Sequence, residues 1–202
     1  CKKFVYASSM SVYGVTPDRP ISEKEHCAPV SFYGVSKLAS EHYIRIFSKY
    51  GISGTSLRLF NVYGPGQNLN NLRQGMVSIF LAQMLNDGHI HVKGAPDRYR
   101  DFVYIDDVVD SMIKCLSHNI NGNDVINIGT GVRSLVRDVV DLLIFNQNGK
   151  VGVNYSGNTE GDLHGIYANI NKMKNKLGAA PKISLENGIK KMMAWAEKSK
   201  ST

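Results

Sequence analysis

Tyr33 and Lys37 stand four residues apart in a stretch that reads as a helix from about Ser31 to Tyr50. On a helix this spacing places both side chains on one face, with the ammonium beside the phenol. A nearby cation favours phenolate and draws a tyrosine pKa of about 10 toward neutrality, where the group serves as a base. The spacing alone also fits an ordinary surface pair, so the surroundings carry the argument. The segment Ala7-Ser8-Ser9-Met10-Ser11-Val12-Tyr13-Gly14 puts hydroxyl residues just past an apolar strand at 3–7. In open α/β sheets that carboxyl edge is where ligands bind, and a hydroxyl there can bond both a substrate hydroxyl and a phenolate.

A second strand, Thr55–Phe60, leads into Asn61 and the turn Gly64-Pro65-Gly66. Further on, Arg98 and Arg100 offer planar forks that suit diphosphate oxygens. Asp106-Asp107 reads as a helix cap with dipole compensation rather than a metal site. His89 and His91 share one face of a short strand at 89–93 but lack a third ligand at matching spacing, so no metal is expected. Neither a Ser-His-Asp order nor a G-x-S-x-G elbow is present, which leaves nucleophilic hydrolysis without support.

The elements that must position these groups alternate along the chain. Strands are expected at 3–7, 55–60, 89–93, 101–104, 124–128 and 151–155. Helices are expected at 31–50, 75–86, 106–116, 134–145 and 169–177, with a last one from Ser184, and Asp106 and Ser184 read as N-caps. The β-α-β order of the first 60 residues argues a parallel sheet covered on both faces. The last helix carries Ile189, Met192, Met193 and Ala196 at core-facing spacing.

Length and composition agree. The 202 residues, 43% hydrophobic and 20% charged, exclude a disordered or collagen-like chain and no run is long enough to span a bilayer. Cys1, Cys27 and Cys115 lack disulfide or zinc spacing, which fits free thiols in a reducing cytoplasm. The formal net charge is +7, yet half of the lysines follow residue 171 without interleaved aromatics, so a solvated cationic face is read rather than a nucleic-acid surface. The positive balance favours an anionic small substrate such as a nucleotide diphosphate. The chain opens on Cys1 and Lys3-Phe4-Val5-Tyr6-Ala7 as a buried strand, so it is expected to start inside a fold, without a signal peptide.

Taken together, Ser8-Ser9-x-x-Val12-Tyr13-Gly14, Tyr33-x-x-x-Lys37, Arg58-x-Phe60-Asn61-x-Tyr63-Gly64-Pro65, Arg100-Asp101-Phe102 and Asn127-Ile128-Gly129-Thr130-Gly131 resemble the extended short-chain dehydrogenases that act on nucleotide sugars. The branch most similar is the NAD-dependent epimerases of the UDP-glucose 4-epimerase type, and the likeness runs from residue 3 to at least Asp162. It implies an α/β fold, a partial Rossmann-type parallel sheet lacking its amino-terminal half, plus a small α/β substrate domain. Residues 1–63 would belong to the NAD-binding domain and 64–202 mainly to the substrate domain, with strand 124–128 returning to the first.

The resemblance implies that Tyr33 is the acid/base, that Lys37 assists it and binds the nicotinamide ribose, and that Ser9 assists at the sugar. Ser8 and Phe60 match positions near the cofactor, Asn61 and Arg100 the diphosphate clamp, Val77 and Val132 contacts around the base, and Asp162 a ribose contact. The implied reaction is inversion at C4 through a 4-keto sugar, with NAD bound and not consumed, in a cytoplasmic protein that dimerises through the helix at 31–50. Two departures bear on the substrate: Thr159 stands where the family usually has an arginine, and Lys93 where an aromatic often meets the base. Met10 and Ser11 replace the Asp-Glu pair of related 4,6-dehydratases, which favours an epimerase. Decarboxylation of a UDP-uronate is the alternative within the family.

The Gly-rich dinucleotide turn is expected before residue 1. Gly129-Thr130-Gly131 after strand 124–128 imitates it, but Ser134 occupies the third glycine's place and no acid follows at ribose spacing. On that basis the 202 residues alone are expected to bind NAD poorly and turn over negligibly, which leaves a nucleotide-sugar-binding module as a reading of another class.

Overall fold

The computed structural model describes residues 1–73, 75–117, 123–147, 149–157 and 163–200. Strand β1 (Lys3–Ser9) runs into a 3-10 turn at Met10–Val12, and after a loop the chain forms α1 (Phe32–Phe47). Ser31 caps α1: its backbone is extended and its Oγ accepts the Gly34 N–H at 3.1 Å. The helix ends earlier than its periodicity suggests, because a 3-10 turn at Ser48–Tyr50 and Gly51 close it. Strand β2 (Ser53–Leu59) then pairs in parallel with β1, Ala7 opposite Leu57, and β7 (Asp124–Ile128) pairs in parallel with β2, Leu57 opposite Ile126. The order β1-β2-β7 puts both chemistry-bearing strand ends on one carboxyl edge. Helices α1 and α3 (Ile105–Ser117) pack against β1 and β2, and α5 (Asn171–Leu177) packs against β7.

The remaining strands are short. Strand β3 (Asn61–Tyr63) pairs with β6 (Phe102–Tyr104), β4 (His89–Lys93) pairs with β9 (Gly152–Ser156), and β5 (Tyr99–Arg100) lies between β8 (Ser134–Leu135) and β10 (Gly165–Ile166). The single strand expected near 101–104 is therefore two, interrupted at Asp101. The helix expected from 134 starts at 136, after β8, as α4 (Val136–Phe145). Asp106 is not a cap: α3 starts at Ile105 directly after β6, and Asp106 lies in its first turn. Ser184 does cap α6 (Leu185–Lys200), its Oγ accepting the Asn187 N–H at 3.3 Å.

Two apolar cores result. One joins Val12, Tyr13, Leu57, Ile126 and Ile128 to Met173 and Leu177, under the parallel sheet. The other is built by α2 (Met76–Asp87), β4, α4 and α6 around Leu81, Ile90, Val140, Leu143, Ile189 and Met192. Each such side chain contributes about 1.5–3 kcal/mol on burial. Among the described residues no helix is long and apolar enough to cross a membrane.

Candidate active site

Helix α1 presents Tyr33 half exposed at its first turn. One turn on, the Lys37 Nζ lies 5.4 Å from the Tyr33 ring centroid and 4.9 Å from that of Tyr6, and donates to the Ala7 carbonyl at 2.9 Å. That bond ties the ammonium to the end of β1. The turn itself is pressed onto the strand end. A Cβ on Gly34 would fall 2.5 Å from the Ser11 carbonyl oxygen, so only glycine permits this approach. At the strand end the Ser9 Oγ accepts the Ser11 N–H at 3.2 Å and donates to the Ser11 Oγ at 3.1 Å.

One face of α1 is bolted to the sheet by a buried ion pair. The Glu41 carboxylate accepts Arg58 Nε at 3.0 Å, Arg58 Nη2 at 2.8 Å and the Ser8 hydroxyl at 2.5 Å. Burial alone would lower the Arg58 guanidinium, but the bonds to Glu41 and the Tyr13 phenol beneath it raise it above its ordinary value. Tyr13 in turn donates to the Asn127 side-chain oxygen at 2.6 Å and is pushed up to about 12 by burial.

Beside this edge opens a cavity of about 790 Å³ whose wall includes Ser11, Ser31, Asn61, Arg73, Lys93, Arg98 and Arg100. Among the described residues lining it there is no aspartate or glutamate. Arg100 is buried, donates to the carbonyls of Tyr99, Leu163 and His164, and is held down to about 10 by burial and by the Arg98 charge. Burial likewise lowers Arg98. Gly94 makes room for it: with φ +95° and a Cβ that would lie 2.7 Å from the Arg98 Cζ, the position excludes side chains. Two crowded, desolvated guanidiniums are relieved by an anion, and their planar forks suit a diphosphate. Asn61 adds a buried Oδ1 with no hydrogen-bond partner among the described residues, an acceptor that a bound ligand can satisfy.

The residues singled out from sequence thus divide. Asn61 and Arg100 line the cavity, whereas Ser9, Tyr33 and Lys37 are not part of its wall, which reaches their neighbours in the chain Ser11 and Ser31. Four side chains sit elsewhere. Ser8 points under α1 into the Glu41 carboxylate, and the Phe60 ring fills the first core. Val77 is buried in the second core while its neighbours Gly75, Met76 and Ile79 form the cavity wall, and Val132 is exposed outside it. Asp162 and Thr159 lie outside the described residues. The cavity wall also holds Arg73, His91 and Ser11, which the sequence does not mark as ligand-facing. Only Ser11 had a signal, its place in the hydroxyl run.

The imitation dinucleotide turn is settled by its hydrogen bonds. The Asp101 carboxylate, fully buried, accepts the N–H groups of Thr130, Gly131 and Ala168 and the Thr130 hydroxyl. Burial raises Asp101 and these four donors pull it back. With its amides committed to a carboxylate, the turn cannot cradle a pyrophosphate. His89 and His91 face each other at 4.5 Å between ring centroids, and among the described residues no group of three metal-ligating side chains forms.

Residues 1–129 match the family model described as "NAD dependent epimerase/dehydratase family". A putative UDP-glucose 4-epimerase of Methanocaldococcus jannaschii is 34% identical over 202 residues, covering 99% of this chain and 65% of its own length. The dTDP-4-dehydro-6-deoxyglucose reductase of Escherichia coli is 32% identical over 195 residues, with 96% of this chain and 61% of that protein covered. Among solved structures, MoeE5 in complex with UDP-glucose and NAD superposes with a TM-score of 0.90 at 30% identity, covering 98% of this chain and 66% of its own. The UDP-glucose 4-epimerase of Thermotoga maritima with UDP-glucose gives 0.88 at 35%, covering 98% of this chain and 64% of its own. The chain therefore spans about 65% of the length of the relatives it matches.

Proposed function

Given that the chain belongs to the NAD-dependent epimerase/dehydratase family, whose solved members here include complexes with NAD, we propose that it carries the catalytic edge and substrate cavity of a nucleotide-sugar 4-epimerase. The observation that carries the reading is the junction of two features. A Tyr33–Lys37 pair stands at the carboxyl edge of the parallel sheet, beside a cavity walled by cations and free of carboxylates among its described lining.

In this reading Arg98 and Arg100 take the diphosphate, and the hexose extends toward Ser11 and Ser31. The Tyr33 phenol oxygen receives the proton of the C4 hydroxyl and returns it after the sugar has turned over. The Lys37 ammonium, fixed by the Ala7 carbonyl, offsets negative charge at the phenol and offers its other N–H groups to a ribose. Bound NAD supplies the acceptor and later the donor of the C4 hydride. The nicotinamide end fits the half-exposed Tyr33–Lys37 edge, whereas the Gly129-Thr130-Gly131 turn, its amides bound to Asp101, is not free to hold the pyrophosphate of the cofactor. Met10 and Ser11 at the strand end bring no carboxylate for water elimination, which supports inversion over dehydration.

The test uses the chain extended at its amino terminus to the length of its relatives. Incubation with UDP-glucose, UDP-N-acetylglucosamine and their dTDP counterparts should give C4 inversion of at least one, followed by NMR of the anomeric protons. Tyr33→Phe should abolish turnover while nucleotide-sugar binding stays within a few-fold, since only the transferable proton is removed. No inversion of any of them, or full activity in Tyr33→Phe, refutes the reading.

A further inference from the structure

Helix α2 walls two separate hollows. Met76, Ile79, Phe80 and Gln83 line the cavity beside Arg98 and Arg100, whereas Ala82, Leu85 and Asn86 border a second hollow of about 320 Å³. The end of α6 closes that hollow through Trp195 and Ala196, and the loop at 67–70 forms its rim. No residue belongs to both linings. Side-chain size makes the room: Ala82 and Ala196 are buried, and each stops at a methyl where a longer side chain would fill the space.

The two linings differ in chemistry. The first is cationic, but none of the described residues lining the second is ionisable, so it offers a phosphate or carboxylate no counter-ion. It holds instead the single tryptophan of the chain, half-buried with part of its indole against the second core, and the side-chain amides of Gln67, Asn68, Asn70 and Asn86. The Asn68 oxygen accepts the Asn70 N–H at 2.9 Å, which fixes that amide and leaves its NH2 end as a donor. The half-buried Gln67 has an amide oxygen shut off from solvent with no hydrogen-bond partner among the described residues, and a ligand that draws this amide into the hollow supplies one. A pyranose ring meets these groups on both counts. Its hydroxyls donate and accept, and its C–H face settles on the electron-rich face of an indole. The volume lies at the lower end of small-molecule sites, room for one ring.

We propose that this hollow is a second carbohydrate site, apart from the cavity beside Arg98 and Arg100, which binds one uncharged pyranose ring against Trp195 and the amides of Gln67 and Asn68. The ring is a free hexose or the end residue of a glycan. The inference draws only on the lining of the hollow and is independent of the epimerase reading.

Its test titrates the amino-terminally extended protein with glucose, galactose, N-acetylglucosamine and maltotriose. Binding is followed by saturation-transfer NMR of the sugar and by the part of the tryptophan fluorescence that Trp195→Phe removes. At least one sugar should bind with a Kd of about 1–10 mM, the range for an uncharged ligand of this size, and should shield Trp195 from quenching by acrylamide. Tighter binding of maltotriose than of glucose assigns a glycan end, and equal or weaker binding a free hexose. Gln67→Met, similar in length but without the unpartnered amide, should weaken the sugar about three- to tenfold without lowering Tm, the worth of one neutral hydrogen bond. Asn68→Ala, on the exposed rim, should weaken it by a similar factor, and a purely structural role for either residue would move Tm and not affinity. The inference is overturned if no sugar binds below about 50 mM, a concentration at which contacts are non-specific. It is equally overturned if saturating UDP displaces the sugar, if adenosine binds more tightly than every sugar, or if both variants bind as the unsubstituted protein does.

Discussion

Glu41→Gln is the sharpest probe of what holds the catalytic helix in place. The substitution keeps volume and shape but removes the charge that neutralises Arg58, whose side chain is only 6% exposed. Arg58 already has one buried nitrogen, Nη1, without a hydrogen-bond partner among the described residues, so no second acceptor stands ready. Leaving one partner of a buried pair uncompensated costs about 3–5 kcal/mol, against about 0–1 for an exposed pair. At roughly 2–4 °C per kcal/mol for a chain of this size, the melting temperature should fall by about 6–20 °C. The assay is denaturant and thermal unfolding followed by circular dichroism, extended to a cycle with Arg58→Leu and Glu41→Leu/Arg58→Leu. The double variant should recover most of the loss, because an apolar pair of similar volume needs no neutralisation. About 1 kcal/mol should stay lost at Ser8, whose hydroxyl donates to Glu41. A loss below about 1 kcal/mol for Glu41→Gln, or single effects that simply add, would refute the claim that α1 is held by this pair.

Two further outcomes follow from named contacts. Tyr13 ionises at about 12 in the fold instead of its ordinary 10.0, so its stabilising share is complete below pH 10 and disappears as pH rises from there through about 12. Two units correspond to about 3 kcal/mol, and the stability of Tyr13→Phe should fall less steeply over pH 10–12 by that amount; equal slopes would count against it. Gly34→Ala puts a methyl 2.5 Å from the Ser11 carbonyl oxygen and should cost about 1–3 kcal/mol while lowering kcat at least tenfold, read by unfolding and by kinetics of the extended protein.

What the sequence made legible is what depends on neighbours in sequence. Alternating apolar stretches announced the strand-helix order, Ser184 its cap, and the i to i+4 spacing of Tyr33 and Lys37 their shared face. What stayed hidden depends on partners far along the chain. Asp101 breaks an expected strand because its carboxylate serves amides at 130, 131 and 168, and Asp107 is buried because it accepts the N–H groups of Lys182 and Ile183. Spacing arguments cannot see such pairings. Side-chain direction was equally opaque at Ser8, Val77 and Val132: adjacent positions on one element face opposite ways, and only packing decides which side holds the cavity.

A single stripe of α1 shows how the two kinds of information meet. Tyr33, Lys37 and Glu41 recur every four residues, and their burial deepens along the helix. The phenol is half exposed, the ammonium is tied to the end of β1, and the carboxylate is 7% exposed beneath Arg58. The gradient has a physical use. A group that must trade protons with a ligand needs access, and a group that must not move needs a dry, fully bonded setting. Placing both on one rigid helix lets the buried end fix the exposed end without touching the ligand. Glu41 is therefore expected to influence catalysis only by holding Tyr33 and Lys37 against β1, and kinetic damage from its substitution should scale with displacement of the helix rather than with loss of charge near the sugar.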